Sequence, residues 1–220
     1  VTRLGSVLVI AKEPLPGRVK TRLNPPYSPE QAAALAAAAI ADTLRAAMAV
    51  PADRHVLVLD GSPGDWIPAG WDVVAQGAGD LDDRLGQAFD DVRGNGPAVL
   101  VGMDTPQATA TQINAFAPHR FDCCLGRADD GGFWLIGFAD PSDARAAIVG
   151  VPMSRDDTGT RQLERLQHRG LTVQLIDQLT DVDDAASATQ AALAAPHTEF
   201  AQLLARTSPM SLLRPNLLHV

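Results

Sequence analysis

Runs of six or seven mostly apolar residues recur along this chain, and between them apolar residues return every three or four positions. "SVLVIA" (6–11), "HVLVLD" (55–60), "WDVVAQ" (71–76), "PAVLVG" (97–102), "FDCCLG" (121–126), "GFWLIGF" (132–138) and "LTVQLID" (171–177) are too short for buried helices. Bounded by Gly, Pro and Asp, they predict strands. The longer stretches predict helices at 28–49, 80–93, 109–118 and 158–170, with a terminal helix from about residue 184. In the first of these Ser28 suits an N-cap, Pro29 suits the first turn, and alanine, the best helix former, fills the interior. Strands alternating with helices predict an α/β fold: three layers, α/β/α, around a mainly parallel sheet. No internal repeat or low-complexity linker interrupts the pattern, so residues 1–220 are expected to form one domain, with 196–220 a C-terminal extension. The apolar tail "TSPMSLLRPNLLHV" is expected to pack on the domain or on a second subunit, which leaves a homodimer open.

The bulk composition narrows the partners. A net charge of -8 lacks the basic face of a general nucleic-acid binder. No apolar run is long enough to span a bilayer, and "SVLVIA" lacks the layout of a signal peptide, so a cytoplasmic protein is expected. The two cysteines, Cys123 and Cys124, are adjacent and lack metal-ligand spacing; they read as small apolar residues on a buried strand.

Against that acidic background, both lysines of the chain, Lys12 and Lys20, fall in "AKEPLPGRVKTRL" (11–23), beside Arg18 and Arg22. Ammonium and guanidinium groups are natural phosphate ligands. "GRVKT" resembles part of a P-loop, but Val19 stands where that motif requires glycine before the lysine, which argues against a P-loop hydrolase. A different cradle remains, in which Gly17 lets backbone approach a ligand and Lys20 and Arg22 supply charge. The loop follows the first strand, and in open α/β sheets ligands gather at the carboxyl ends of strands. "QGAGD" (76–80), "GMDTP" (102–106) and "DVDD" (181–184) fall at such ends too. Asp104 could cap a helix or ligate Mg²⁺, an ion that takes oxygen ligands and shares them with substrate phosphates. Asp181, Asp183 and Asp184 after a second strand offer the partner acid, or again a cap. In "ADDGGFWLIGF", Asp129 and Asp130 could face a cleft as hydroxyl acceptors or a base, with Gly131 and Gly132 allowing close approach; the plain alternative is an Asp-Gly turn. "QGAGDLDDRL", with Gly77, Gly79 and Asp80, could wall a base or sugar, or simply join strand to helix.

Taken in order, "AKEPLPGRVKTRL", "QGAGDLDDRLGQAF", "GMDTP", "ADDGGFWLIGF" and "DVDD" resemble the bacterial radical-SAM/selenodomain-associated transferase 1 family, also labelled glycosyltransferases or domain of unknown function 2064. The phospholactate and molybdenum-cofactor guanylyltransferases are similar at greater distance. The resemblance implies a nucleotide-diphospho-sugar transferase (glycosyltransferase type A, Rossmann-like) fold, with a nucleotide over the sheet and Mg²⁺ or Mn²⁺ on its phosphates. It implies a phosphate contact for Lys20, with Arg22 close by, and metal binding by Asp104 and Asp183. Nucleotide binding would extend over Lys12, Gly17, Arg18, Gly77, Gly79 and Asp80, and acceptor binding over Asp129, Asp130, Gly131 and Gly132. Three departures stand out: Asp82 where glycine is expected, Asp184 where threonine is expected, and no tryptophan in "MSRDD".

Two chemistries follow. In glycosyl transfer an unknown small acceptor attacks the sugar carbon of a nucleotide-sugar, with Asp130 as candidate base alongside Lys20 and Asp104. In nucleotidyl transfer a substrate phosphate attacks a nucleoside triphosphate, and charge on the leaving group is neutralised electrostatically. A non-catalytic nucleotide-binding module is the third reading.

Overall fold

The computed structural model describes residues 3–207. Seven strands form one sheet: β1 (Leu4–Lys12), β2 (Ala52–Asp60), β3 (Asp72–Ala75), β4 (Ala98–Gly102), β5 (Cys123–Ala128), β6 (Phe133–Phe138) and β7 (Val173–Leu179). Their order is β3-β2-β1-β4-β6-β5-β7. Every neighbouring pair is parallel except the two that involve β6. The exception has a local cause. The Asp129–Gly132 turn, with Gly131 N–H donating to Ala128 O at 3.2 Å, reverses the chain at once, and strands joined by a tight turn must run antiparallel.

Alternation along each strand sends side chains to two apolar layers. Val7, Val9, Leu57, Leu59, Val99, Val101 and Cys124 face one side, where α1 (Pro29–Met48) and α3 (Ala110–Ile113) pack. Leu8, Val56, Val58, Leu100, Cys123 and Leu125 face the other, against α2 (Leu81–Asp90), α4 (Ala144–Ile148) and α5 (Thr158–His168). The adjacent cysteines therefore point into opposite layers, both buried. Burial pushes the Cys123 thiol up to about 12 and the Cys124 thiol higher than its ordinary value, so both stay protonated, inert packing groups.

The alanine-rich stretch is a helix, as predicted, with a reciprocal cap: Ser28 N–H donates to Gln31 Oε1 at 2.8 Å, and Ser28 Oγ accepts from Gln31 N–H at 3.3 Å. Its alanines have a tertiary reason. One face meets the sheet, and the opposite face, with Ala32, Leu35 and Ala39, meets Phe200, Leu204, Ala188 and Ala191. Small side chains let α1 be covered on both sides. The single terminal helix expected from residue 184 is two helices, α6 (Ala185–Ala194) and α7 (Glu199–Thr207). Asp42 of α1 accepts from the N–H groups of Glu199 (3.1 Å) and Phe200 (2.8 Å), so a buried carboxylate from another helix satisfies donors at the start of α7. The helix expected over 109–118 shrinks to four residues. Within the tail, residues 208–220 lie outside the described residues, and no described helix is long and apolar enough to cross a membrane.

Candidate active site

The ends of β1, β3, β4, β5 and β7 and the start of β6 border a cleft of about 740 Å³. Its first wall is the loop after β1. Lys20 adopts a left-handed backbone conformation (φ 49°), uncommon for a residue with a side chain. Its ammonium pairs with the Asp104 carboxylate and donates to Val182 O. The Lys20 side chain is only 7% exposed, whereas that of Asp104 is 46% exposed. A nearly buried cation is thus tied to a carboxylate that still faces the cleft. Val182 N–H donates to Asp104 O at 2.8 Å, which locks the turn after β4 to the turn after β7.

Three carboxylates gather here. Asp181 is half-buried, and its carboxyl is raised to about 6 by burial first, then by the charges of Asp130 and Asp104, against a lowering influence from Lys20. Negative charge exceeds local compensation, and the donors are hard oxygens suited to Mg²⁺ or Mn²⁺. Among the described residues no group of three or more His, Cys, Asp or Glu is arranged to hold a cation by itself. One or two carboxylates completed by ligand phosphate is the arrangement that fits this donor set.

The expected site residues separate. Lys12, Arg18, Lys20, Arg22, Asp104, Asp130, Gly132 and Asp183 all line the cleft. Asp183, expected to be the second metal acid, lines the cleft and is ion-paired with Arg22 much as Asp104 is with Lys20, and Asp181, not singled out as a ligand, also stands with Asp104 and Asp130. Asp129, expected to bind an acceptor, lies outside the cleft lining. It accepts from Gln178 Nε2 (2.7 Å) and Thr180 Oγ1 (2.5 Å), which hold it below the usual carboxylate range and tie β5 to β7. Asp184 is the N-cap of α6, accepting from Ala186 and Ser187 N–H at 3.0 and 2.8 Å. Gly17, Gly77, Gly79 and Gly131 do not line the cleft either, and Asp80 lines an adjoining hollow. Gly131 serves packing: at φ 92° its carbonyl accepts from Gly159 N–H at 2.7 Å, docking the turn on the start of α5. Asp130 Oδ1 closes the same turn by accepting from Gly132 N–H at 2.7 Å.

Gln76 and Arg84, near the two ends of the "QGAGDLDDRL" stretch expected to wall a base or sugar, line the cleft, as do Ser154 and Arg155, from a stretch whose sequence suggests only a solvated loop and helix cap. Only the left-handed φ of Ser154 (57°) marks it as special, and that is a property of the folded chain.

Residues 34–155 match a family described as "Uncharacterized protein conserved in bacteria (DUF2064)". The chain belongs to that family. Among solved structures, a candidate nucleotide-diphospho-sugar transferase from Desulfovibrio desulfuricans G20 is 25% identical with a TM-score of 0.79, over 92% of this chain and 95% of that one. The 2-C-methyl-D-erythritol 4-phosphate cytidylyltransferase of Thermus thermophilus is 16% identical (TM-score 0.55, 86% and 98% covered). The inositol-1-phosphate CTP transferase of T. maritima is 14% identical (TM-score 0.53, 94% and 98% covered). No curated protein sequence matches the chain. The family member described here therefore has the nucleotide-diphospho-sugar transferase fold that its motifs implied.

The crowded carboxylates carry a pH signature. A carboxyl with a folded value above its unfolded one stabilises the fold at low pH and loses that contribution as pH rises toward and through about 6. Discounted for the solvent that reaches a half-exposed group, removing the cost of a buried and crowded charge at Asp181 is worth about 1 kcal/mol. Asp181→Asn is expected to raise Tm by about 2–4 °C at pH 7.5 in metal-free buffer and to leave it unchanged near pH 4. A lower Tm at pH 7.5, measured by calorimetry, would contradict the crowding.

Proposed function

We propose that this protein is a transferase of the nucleotide-diphospho-sugar type, moving a glycosyl group from a nucleotide-sugar to a small acceptor with a divalent cation bound at Asp104 and Asp181. The observation that carries this reading is the Lys20–Asp104 pair: a nearly buried ammonium and a cleft-facing carboxylate, with Asp130 and Asp181 alongside, at the strand ends where such a fold binds ligands. The likeness at 25% identity to a candidate enzyme of that name supports it. The bound cation would offset negative charge on the departing nucleoside diphosphate.

The remaining roles belong to the chain. Lys20, released from Asp104 by a competing phosphate, donates to phosphate oxygens, and Arg18 and Lys12 add charge from the exposed side of the same loop. Asp130 keeps Oδ1 on the Gly132 N–H, which orients Oδ2 to accept the acceptor's hydroxyl proton. Trp134, fixed by its Nε1–H donating to Asp177 O at 2.9 Å, gives that end of the cleft a rigid wall.

Nucleotidyl transfer is the second reading. What favours it is the number of cations on the cleft, with Arg84 and Arg155 lining it besides the lysine loop, more than a diphosphate requires. A thermal-shift panel of nucleoside triphosphates and nucleotide-sugars, with and without Mn²⁺, separates the two. At 100 times Kd a ligand stabilises by about 2.7 kcal/mol, which is about 5–10 °C for a chain of this size. A shift with Mn²⁺ and a nucleotide-sugar is the expected result. Preference for a triphosphate would favour nucleotidyl transfer. A shift without turnover of any acceptor would favour a binding module, and no shift with any nucleotide would sink all three readings.

A further inference from the structure

Lys20, Arg22 and Arg155 on the cleft each have a carboxylate partner. Arg84 is half-buried on α2 and takes part in no ion pair among the described residues. It is nevertheless held in place. Its Nη1 donates to Gln76 Oε1 at 3.0 Å. Gln76 has no freedom to turn: its Nε2 donates to Ala11 O (2.8 Å) and Val58 O (3.3 Å), and its backbone N–H donates to Leu59 O (2.9 Å). With the amide hydrogens committed to the ends of β1 and β2, the amide oxygen must face the guanidinium. A carboxylate in that position would fix Arg84 equally well and cancel its charge. A neutral amide fixes the group without neutralising it; Nε–H points to Asp80 O at 3.5 Å, and the Nη2 hydrogens have no partner among the described residues, which leaves that edge for an oxyanion.

The position adds to this. Arg84 lines both the main cleft and an adjoining hollow of about 400 Å³ walled by Asp80, Asp82 and residues 150–154. Neither acid pairs with it; Asp82 Oδ2 accepts from Gly150 N–H at 2.7 Å instead. Arg84 also rises from the layer of α2, α4 and α5, whereas the loop bearing Lys20 leads into α1 on the opposite layer. The cleft thus has a cation on each bank.

We propose that Arg84, oriented by Gln76, is a phosphate-binding residue where the cleft meets the side hollow. This rests on the reading of the cleft as a phosphate-ligand site. The phosphate belongs either to the nucleotide or to a phosphorylated acceptor, and the test has an arm for each.

Binding of inorganic phosphate, of CTP with Mn²⁺ and of glucose 1-phosphate would be measured calorimetrically for the parent, Arg84→Gln, Arg84→Lys and Gln76→Glu, with Tm recorded for each. Arg84→Gln is expected to weaken binding about 10-fold to 100-fold in at least one arm, as loss of a charge-assisted contact should. Arg84→Lys should recover part of it. Gln76→Glu should weaken the same arm although the arginine is kept, because the new carboxylate neutralises it; a purely structural arginine would lower Tm without this pattern. A loss confined to CTP assigns the contact to the nucleotide, and a loss confined to glucose 1-phosphate assigns it to the acceptor. Unchanged affinities for Arg84→Gln in all arms, or a parent that binds none of the probes, overturn the proposal. A parent that binds inorganic phosphate through Arg84 but no nucleotide would sink the transferase reading and leave this one standing.

Discussion

Asp104→Asn is expected to abolish the metal dependence of nucleotide binding and to lower turnover by about 100-fold or more. Asparagine keeps the shape and the backbone contact, Val182 N–H to Asp104 O at 2.8 Å, so the two turns stay joined. What disappears is the charge. An amide oxygen is a weaker ligand for a hard divalent cation, and Lys20 loses its anionic partner while keeping Val182 O. Removing one partner of a fully buried pair costs about 3–5 kcal/mol. Asp104 is 46% exposed, but the ammonium left behind is only 7% exposed and keeps Val182 O, so the folding cost here should be about 2 kcal/mol. Nucleotide titrations with and without Mn²⁺ read the binding effect, and calorimetry reads the folding effect. Asp181→Asn provides the control, since it should show the same loss of metal dependence with a rise in Tm at neutral pH. If Asp104→Asn binds nucleotide with its metal dependence intact, the assignment of the cation to this corner is wrong.

Gly131→Ala is expected to be the most damaging small substitution in the turn between β5 and β6. A methyl group there would lie 1.9 Å from Asp156 O, a backbone atom that cannot swing aside, and φ is 92°. Strain and collision together should cost about 3 kcal/mol or more, or about 6–12 °C in Tm. The Gly159 N–H to Gly131 O bond would part, and Asp130 would shift with the turn, so activity should fall alongside stability. Gly17→Ala separates the two causes. Gly17 also has a positive φ, 75°, but nothing lies within 4 Å of an added methyl, so only the backbone penalty of about 1 kcal/mol should appear. Equal Tm values for Gly131→Ala and the parent would contradict the packing of this turn on α5.

The strands and the long helix were legible because their causes are local. Short, unbroken apolar runs such as "VLVI" or "AVLV" report burial on both faces of a sheet, and Ser28-Pro29 marks a helix start whatever follows. The basic loop was legible too, since both lysines in one segment of an acidic chain is a compositional signal. The role of each acid was not. "DVDD" offers three carboxylates of one chemistry, and the fold divides them: Asp181 toward Asp104, Asp183 toward Arg22, Asp184 to the helix cap. Asp129 and Asp130 divide in the same way, one into a tie between strands and one into the cleft.

By itself the sequence determined the kind of architecture, the strands that build it and the region where phosphate-seeking cations collect, because periodicity, capping and composition act over a few residues. Only the tertiary structure decided which carboxylate meets which cation, why α1 is built of alanine, and that Arg84 meets an amide oxygen. Those outcomes depend on side chains far apart in the chain, as Lys20 and Asp104 are, brought within bonding distance by strand order. Electrostatic pairing is set by distance and burial, and neither is written along the chain.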